Sequence, residues 1–291
     1  MSRLMRGVGL VVIAGLAGLA GCGTQPASSP GATRTPAPAS SAQPPRTTAP
    51  PPSAGQPGGA SGACAQRGSY LTAVRTGEHG GYDRVVFQFS GGLPAVTVDR
   101  VPAVYADPKG TQIALAGQSY LHVVFRGASA TCPQPSQRTW AGPSVLTPYY
   151  PQLLTVSAAG DFEGYLSFGI GLAAPGSYHV SSLTGPDRVV IDVSHVAVGK
   201  FPGIWDITSW PQYWAMQYAW LSGGHQPWRV NPPMVVQAWA NSYGYTDAVI
   251  TPVNASTFKV TEPGGKTHTV TGTRPASVPG PWVITTITHG S

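Results

Sequence analysis

The chain has 291 residues, with 17 Lys and Arg against 11 Asp and Glu and a formal net charge of +6. That length fits two domains of ordinary size. The positive excess is mild and the lysines, Lys109, Lys200, Lys259 and Lys266, are scattered, so no basic cluster of the kind that marks a nucleic-acid binder is present.

Residues 1–21 read as a secretory signal peptide: Arg3 and Arg6 open it, an apolar run Val8–Ala20 follows, and small residues precede Cys22. The apolar run is shorter than the ~20 residues that span a bilayer stably. Leu19-Ala20-Gly21-Cys22 resembles a bacterial lipobox, which implies a lipid on Cys22 and the membrane as a partner through that lipid. Residues 22–62 then form a linker rich in Pro, Ala, Ser, Thr and Gly, with Arg34 and Arg46 its only charges. Without large apolar side chains it cannot offset the entropy of ordering, so the expectation is a disordered tether. Extended at ~3.1 Å per residue, such a tether reaches up to roughly 100 Å from the membrane.

Cys64 and Cys132 remain, both in a segment expected to be exported and oxidised, and they are expected to pair. Neither has a His or a second Cys at metal spacing beside it, and no metal or cofactor is expected.

From about residue 68 the chain reads as strands. Arg84–Phe89, Ala95–Val101, Tyr120–Phe125, Leu153–Val156, Tyr165–Ile170, Ser177–Val180 and Arg188–Val193 are β-branched or aromatic runs between Gly and Pro breakers. Their spacing predicts an all-β sandwich or barrel over 63–198, with a helical turn near Pro143–Pro148 as the one exception. Gly81-Tyr82-Asp83-Arg84-Val85-Val86-Phe87 is echoed by Gly185-Pro186-Asp187-Arg188-Val189-Val190-Ile191. In each copy the Asp is expected to cap a turn, and the Arg to lie on the solvated face beside a carboxylate. The first copy, extended back to Val74 and Arg75, resembles the opening of the AMIN-like domain of actinobacterial lipoproteins. Pro186–Val193 resembles the closing strand of AMIN-type domains. The resemblance covers about residues 68–196 and implies a β-sandwich of two similar halves, of a kind that serves localisation and wall binding. Arg75, Asp83, Arg84, Asp187 and Arg188 are the candidate binding residues it brings forward.

Residues 199–291 have another character and predict a small α+β domain. Trp210–Leu221 reads as a helix with Pro211 in its first turn and Gly223-Gly224 at its end; Tyr213, Met216, Gln217 and Trp220 share a face. A second helix, about Pro233–Tyr243, presents Val235, Val236, Trp239 and Ala240 and stops at Gly244. Strands are expected at Asp247–Val253, Thr257–Thr261, Thr267–Thr273 and Trp282–Ile287. The segment resembles a module at the C-terminus of other actinobacterial exported proteins, through Gly223-Gly224-His225-Gln226-Pro227-Trp228-Arg229-Val230-Asn231-Pro232 and Gly280-Pro281-Trp282-Val283. No activity follows from that resemblance.

His225, Gln226, Trp228 and Arg229 are candidate ligand residues, an aromatic beside hydrogen-bond donors being what a sugar or peptide site uses. The competing reading is a structural loop, with Trp228 in the core and Arg229 paired to a carboxylate. The tryptophans gathered between 205 and 239 are likewise either a carbohydrate-facing platform or the core of a small domain. Enzyme motifs are weak. Ser256-Thr257-Phe258-Lys259 has the Ser-x-x-Lys spacing but lies in a strand, where i and i+3 face opposite sides. Gly265-Lys266-Thr267 is a hairpin turn and not a nucleotide loop. Asp161 and Glu163 sit in a turn. The expected function is therefore a non-catalytic envelope module that binds peptidoglycan; the alternatives are an enzyme acting on wall polymer or peptide, and a lipoprotein that binds another envelope protein.

Overall fold

A computed structural model describes Cys64, residues 67–133 and residues 136–290. The expected signal peptide, Cys22 and the linker lie outside the described residues. The described part is mainly β, with two helices near the C-terminal end.

In chain order the strands are β1 (Ser69–His79), β2 (Tyr82–Ser90), β3 (Ala95–Val101), β4 (Tyr105–Ala106), β5 (Thr111–Gln112), β6 (Ser119–Arg126), β7 (Ala128–Ser129), β8 (Thr131–Pro133), β9 (Ser136–Arg138), β10 (Val145–Leu146), β11 (Leu153–Phe162), β12 (Tyr165–Leu172), β13 (Tyr178–Leu183) and β14 (Asp187–Ser194). Helix α1 (Trp210–Gly223), a 3-10 turn at Pro227–Val230 and helix α2 (Pro232–Ser242) follow, then β15 (Val249–Asn254), β16 (Thr257–Thr261), β17 (Thr267–Thr273) and β18 (Val283–His289).

Two five-stranded sheets form the sandwich, one ordered β13-β14-β2-β1-β7 and the other β10-β11-β12-β6-β3. Period-two alternation fills the space between them. Val85, Phe87 and Phe89 from β2 meet Leu121, Val123 and Phe125 from β6 and Leu166, Phe168 and Ile170 from β12. The rings of Phe87, Phe125, Phe168 and Trp140 pack edge-on or tilted, with centroids 4.9–6.4 Å apart. Cys64 and Cys132 form a disulfide that fastens the start of the domain to β8. The expected helical turn near Pro143–Pro148 is instead the short strand β10, whose Val145 and Leu146 pair with Ser157 and Val156.

Helix α1 begins at Ser209, whose side chain accepts from the Gln212 amide, and ends at Gly224, whose φ of 65° closes it in the left-handed conformation. Helix α2 buries Val235, Val236, Trp239 and Ala240, the face expected of it, against the sheet β15-β16-β17-β18.

A third apolar cluster joins the two parts. Ala116, Leu154 and Ala173 of the sandwich pack with Tyr213 and Trp214 of α1 and with Ala276 and Val283 of the C-terminal module. Gln217 of α1, fully buried, accepts from the Gly117 amide at 2.8 Å and donates to the Pro279 carbonyl at 3.0 Å. Gly117 has a φ of 117°, and a Cβ there would meet the Leu172 carbonyl oxygen at 2.1 Å, so only glycine brings this backbone to the helix.

Candidate functional site

The inward face of sheet β13-β14-β2-β1-β7 is core, so alternation sends the other half of each strand to solvent. Cross-strand register sorts these outward residues into rows. Arg188 stands opposite Gln88, and Asp192 opposite Arg84; His179 follows beyond Asp192. His79 stands opposite Tyr82, and Arg75 opposite Val86. Three of the arginines singled out in the sequence thus share one open sheet face.

The echo explains their arrangement. Its two copies are β2 and β14, neighbours in one sheet, and the equivalent residues Val86 and Val190 are also cross-strand partners. A local two-fold axis at that pair sets Arg84 opposite Asp192 and, by the same operation, Arg188 opposite Gln88. The first copy closes an ion pair: Arg84 Nε and Nη2 donate to the two carboxylate oxygens of Asp192 at 2.6 and 2.8 Å. That carboxylate holds the Arg84 guanidinium above its usual pKa, against the opposing effect of partial burial. The second copy has an amide where the first has an acid. Arg188 donates to the Pro186 carbonyl at 3.1 Å, and Arg75 Nη1 donates to Gln88 Oε1 at 2.8 Å. Among the described residues neither Arg75 nor Arg188 forms an ion pair.

At the other end of β2, Tyr82 has two ring partners. The His79 ring stacks on it at 4.6 Å and 14°, and the Arg84 guanidinium lies 5.3 Å from its centroid. The face therefore offers two guanidinium groups with no carboxylate partner, an amide between them and an ordered aromatic stack. Asp192, Gln88, Tyr82, His79 and His179 were not among the candidates read from sequence; the alternation of β2 and β14 around Arg84 and Arg188 was the signal for the first two.

Asp83 is a correction. It does not cap a surface turn: it points inward with no exposed surface, accepts the backbone amides of Gln152 and Leu153 at 2.8 Å each, and binds His195 Nε2 at 2.8 Å. Having Asp83 and Arg84 adjacent on a strand sends them to opposite sides of the sheet. Asp187 starts β14 half-buried, opposite Phe89.

The stretch between residues 69 and 195 matches the model of the AMIN-like domain family. The sandwich is an AMIN-like domain. No curated protein and no solved structure matches the chain. The open arginine face is therefore the outer face of the AMIN-like domain.

In that module the Gln226–Arg229 loop is tightly held. Gln226 adopts a φ of 52°, Trp228 packs half-buried against the α2 cluster, and Arg229 lies over the Trp228 ring at 4.4 Å and pairs with Asp206. Trp282 N donates to the Arg229 carbonyl at 2.8 Å. The guanidinium is thus spent on Gln226 and Asp206. What remains accessible is a shallow apolar groove along Pro227, Trp228, Val230, Pro232 and Met234, while His225 is exposed beside it. Asp161 accepts from the Ala130 amide at 2.9 Å and the Ser129 hydroxyl at 3.0 Å, and Glu163 occupies the hairpin turn at a φ of 51°. Lys259 is exposed on β16, and Ser256 hydrogen-bonds Asn254 in the turn before it. Among the described residues no group of three His, Cys, Asp or Glu is disposed to hold a metal, and no helix is long and apolar enough to cross a membrane.

Proposed function

We propose that the protein is a non-catalytic extracytoplasmic module, held at the membrane by a lipid on Cys22, whose AMIN-like domain binds peptidoglycan through its open sheet face. The observation that carries this reading is the pair Arg75 and Arg188. Among the described residues both are free of carboxylate partners, and both flank the Gln88 amide, with the Tyr82–His79 stack further along the same sheet face. Guanidinium forks suit the carboxylates of stem peptides, and a ring stack suits the apolar face of a sugar. The non-catalytic part of the reading is supported by Asp161, whose carboxylate is taken up by Ser129 and Ala130.

Co-sedimentation with purified sacculi tests the reading, using the mature chain from residue 22 with Cys22→Ser. Saturable pelleting that survives physiological salt is expected. The double variant Arg75→Ala/Arg188→Ala should weaken it on the order of 100-fold, at ~1.5 kcal/mol for each of the two charge-assisted hydrogen bonds lost. Pelleting unchanged in that variant removes the sheet face from the reading. Pelleting that vanishes in salt removes specific wall binding altogether. Incorporation of labelled palmitate into the wild type but not into Cys22→Ser checks the anchor.

A further inference from the structure

A cleft of ≈ 410 Å³ opens where the AMIN-like domain meets the C-terminal module. One wall is the stretch that covers the outside of the second sheet, with Val104, Ile113 and Leu115, and behind it Tyr120 of β6. The other wall is Leu221, near the end of α1, with Val278 and Pro279 from the connection between β17 and β18. Val104 and Leu115 are almost fully buried, whereas Leu221 is 38% exposed and stands at the mouth.

Among the described residues no charged side chain lines this cleft. Its one side-chain amide, Gln112, is exposed, and other polar groups of the walls are engaged. The Tyr120 hydroxyl donates to the Gly117 carbonyl at 3.0 Å, and the Ile113 amide donates to the Val104 carbonyl at 3.0 Å. Burial pushes the Tyr120 phenol above its usual pKa, as a poorly hydrated wall requires. A nucleotide or a charged peptide would lose its water here and find no charged partner in exchange. The walls are also fixed: Gln217 ties Gly117 to Pro279, and the Gln118 side chain accepts from both the amide and the hydroxyl of Ser277 at 2.9 Å. The opening is thus a preformed pocket with mostly apolar side chains, of the size that holds small ligands.

We propose that this cleft binds a single uncharged aliphatic chain. At the ~30 Å³ that a water-sized group occupies, the volume accommodates on the order of a dozen methylenes. The site is separate from the arginine face, and its ligand shares nothing with a wall polymer, so the two readings stand or fall independently. Because both walls contribute, a bound chain braces the AMIN-like domain against the C-terminal module.

The test uses the mature chain with Cys22→Ser in detergent-free buffer, with the uncharged fluorophore N-phenyl-1-naphthylamine as probe and n-alkanols of increasing length as competitors. One saturable site is expected. Competitor dissociation constants should fall about fourfold per added methylene and level off near a dozen carbons, where the cleft is full. Ala114→Trp and Ala103→Phe, each filling the cleft from a different wall segment, should abolish probe binding with the near-ultraviolet circular dichroism retained. Thr269→Trp, on the exposed face of β17, should leave it intact. Competition by a lysophospholipid of matching tail length identifies the chain as a lipid tail, and competition by alkanols alone identifies a free chain. Absence of a saturable site, a length dependence with no plateau, or undiminished binding in both filled variants overturns the proposal.

Discussion

At the scale of single residues, Asp83 is where charge and structure are most tightly joined. Its carboxylate is fully buried and satisfied by two backbone amides and His195. Removing it strands the amides of Gln152 and Leu153 in the interior, at a cost of ~1–3 kcal/mol for each unsatisfied group. Asp83→Ala should therefore lose roughly 3 kcal/mol or more in urea denaturation, while Asp187→Ala, at the half-buried equivalent position, should lose under ~1 kcal/mol. Equal losses would mean that the two copies of the echo are used alike. Tyr213 makes a second case. Burial pushes its phenol up to about 12, with the Ala276 backbone and the Arg274 charge pulling the other way. An unfolded tyrosine titrates near 10, so the folded state holds its proton more tightly. The stability this represents is complete below pH 10 and is lost as pH rises from 10 towards 12, by roughly 2–3 kcal/mol. Tyr213→Phe should flatten that part of the stability–pH curve, and an unchanged slope would place the alkaline sensitivity elsewhere.

At the scale of elements, strands such as β2 were legible because they have one buried and one more exposed face, whereas β12, buried from Leu166 to Leu172, reads as an apolar run between breakers. Val85, Phe87 and Phe89 alternate with Arg84, Val86 and Gln88, and a period of two survives in the sequence. β1 was not delimited. Its register slips between Leu71 and Ala73, and beyond Val74 it is polar on both sides, so the alternation is broken by a bulge and then lost. The burial of Asp83 was hidden for a different reason: its partners come from residues 152, 153 and 195, and an acid in a turn motif reads as exposed until those donors are brought to it. The disulfide belongs to this scale too. Cys64 and Cys132 close a loop across a separation of 68 residues, which in the chain-entropy model constrains the unfolded state by up to ~4 kcal/mol. Reduction should lower the denaturation midpoint of the wild type by an amount in that range and leave the Cys64→Ser/Cys132→Ser variant unmoved. A wild type indifferent to reductant would show that β1 and β8 are held by packing alone.

At the scale of the whole molecule, the sequence divides at about residue 198 and the packing does not. The face expected for α1 was Tyr213, Met216, Gln217 and Trp220, a single stripe suited to a helix with one neighbour. Tyr213, Trp214 and Gln217 are what the helix buries, a wider arc, because α1 lies between Leu154 and Ala173 of the AMIN-like domain and Ala276 and Val283 of its own module. A helix packed on two sides carries no clean stripe, so the junction was not legible from periodicity. Sharing a core also couples the parts energetically. The chain from residue 22 should melt in a single calorimetric transition whose van't Hoff and calorimetric enthalpies agree. Gln217→Ala leaves the Gly117 amide buried without its partner, at ~1–3 kcal/mol, and removes the bond to the Pro279 carbonyl. Trp214→Ala opens a cavity worth ~3–5 kcal/mol in the same cluster. Either change acts at the junction and not within one module, so each should split the melt, with tryptophan fluorescence of the C-terminal module changing before the far-ultraviolet signal of the sandwich. A wild type that already melts in two steps would mean that the shared cluster contributes too little to couple the modules.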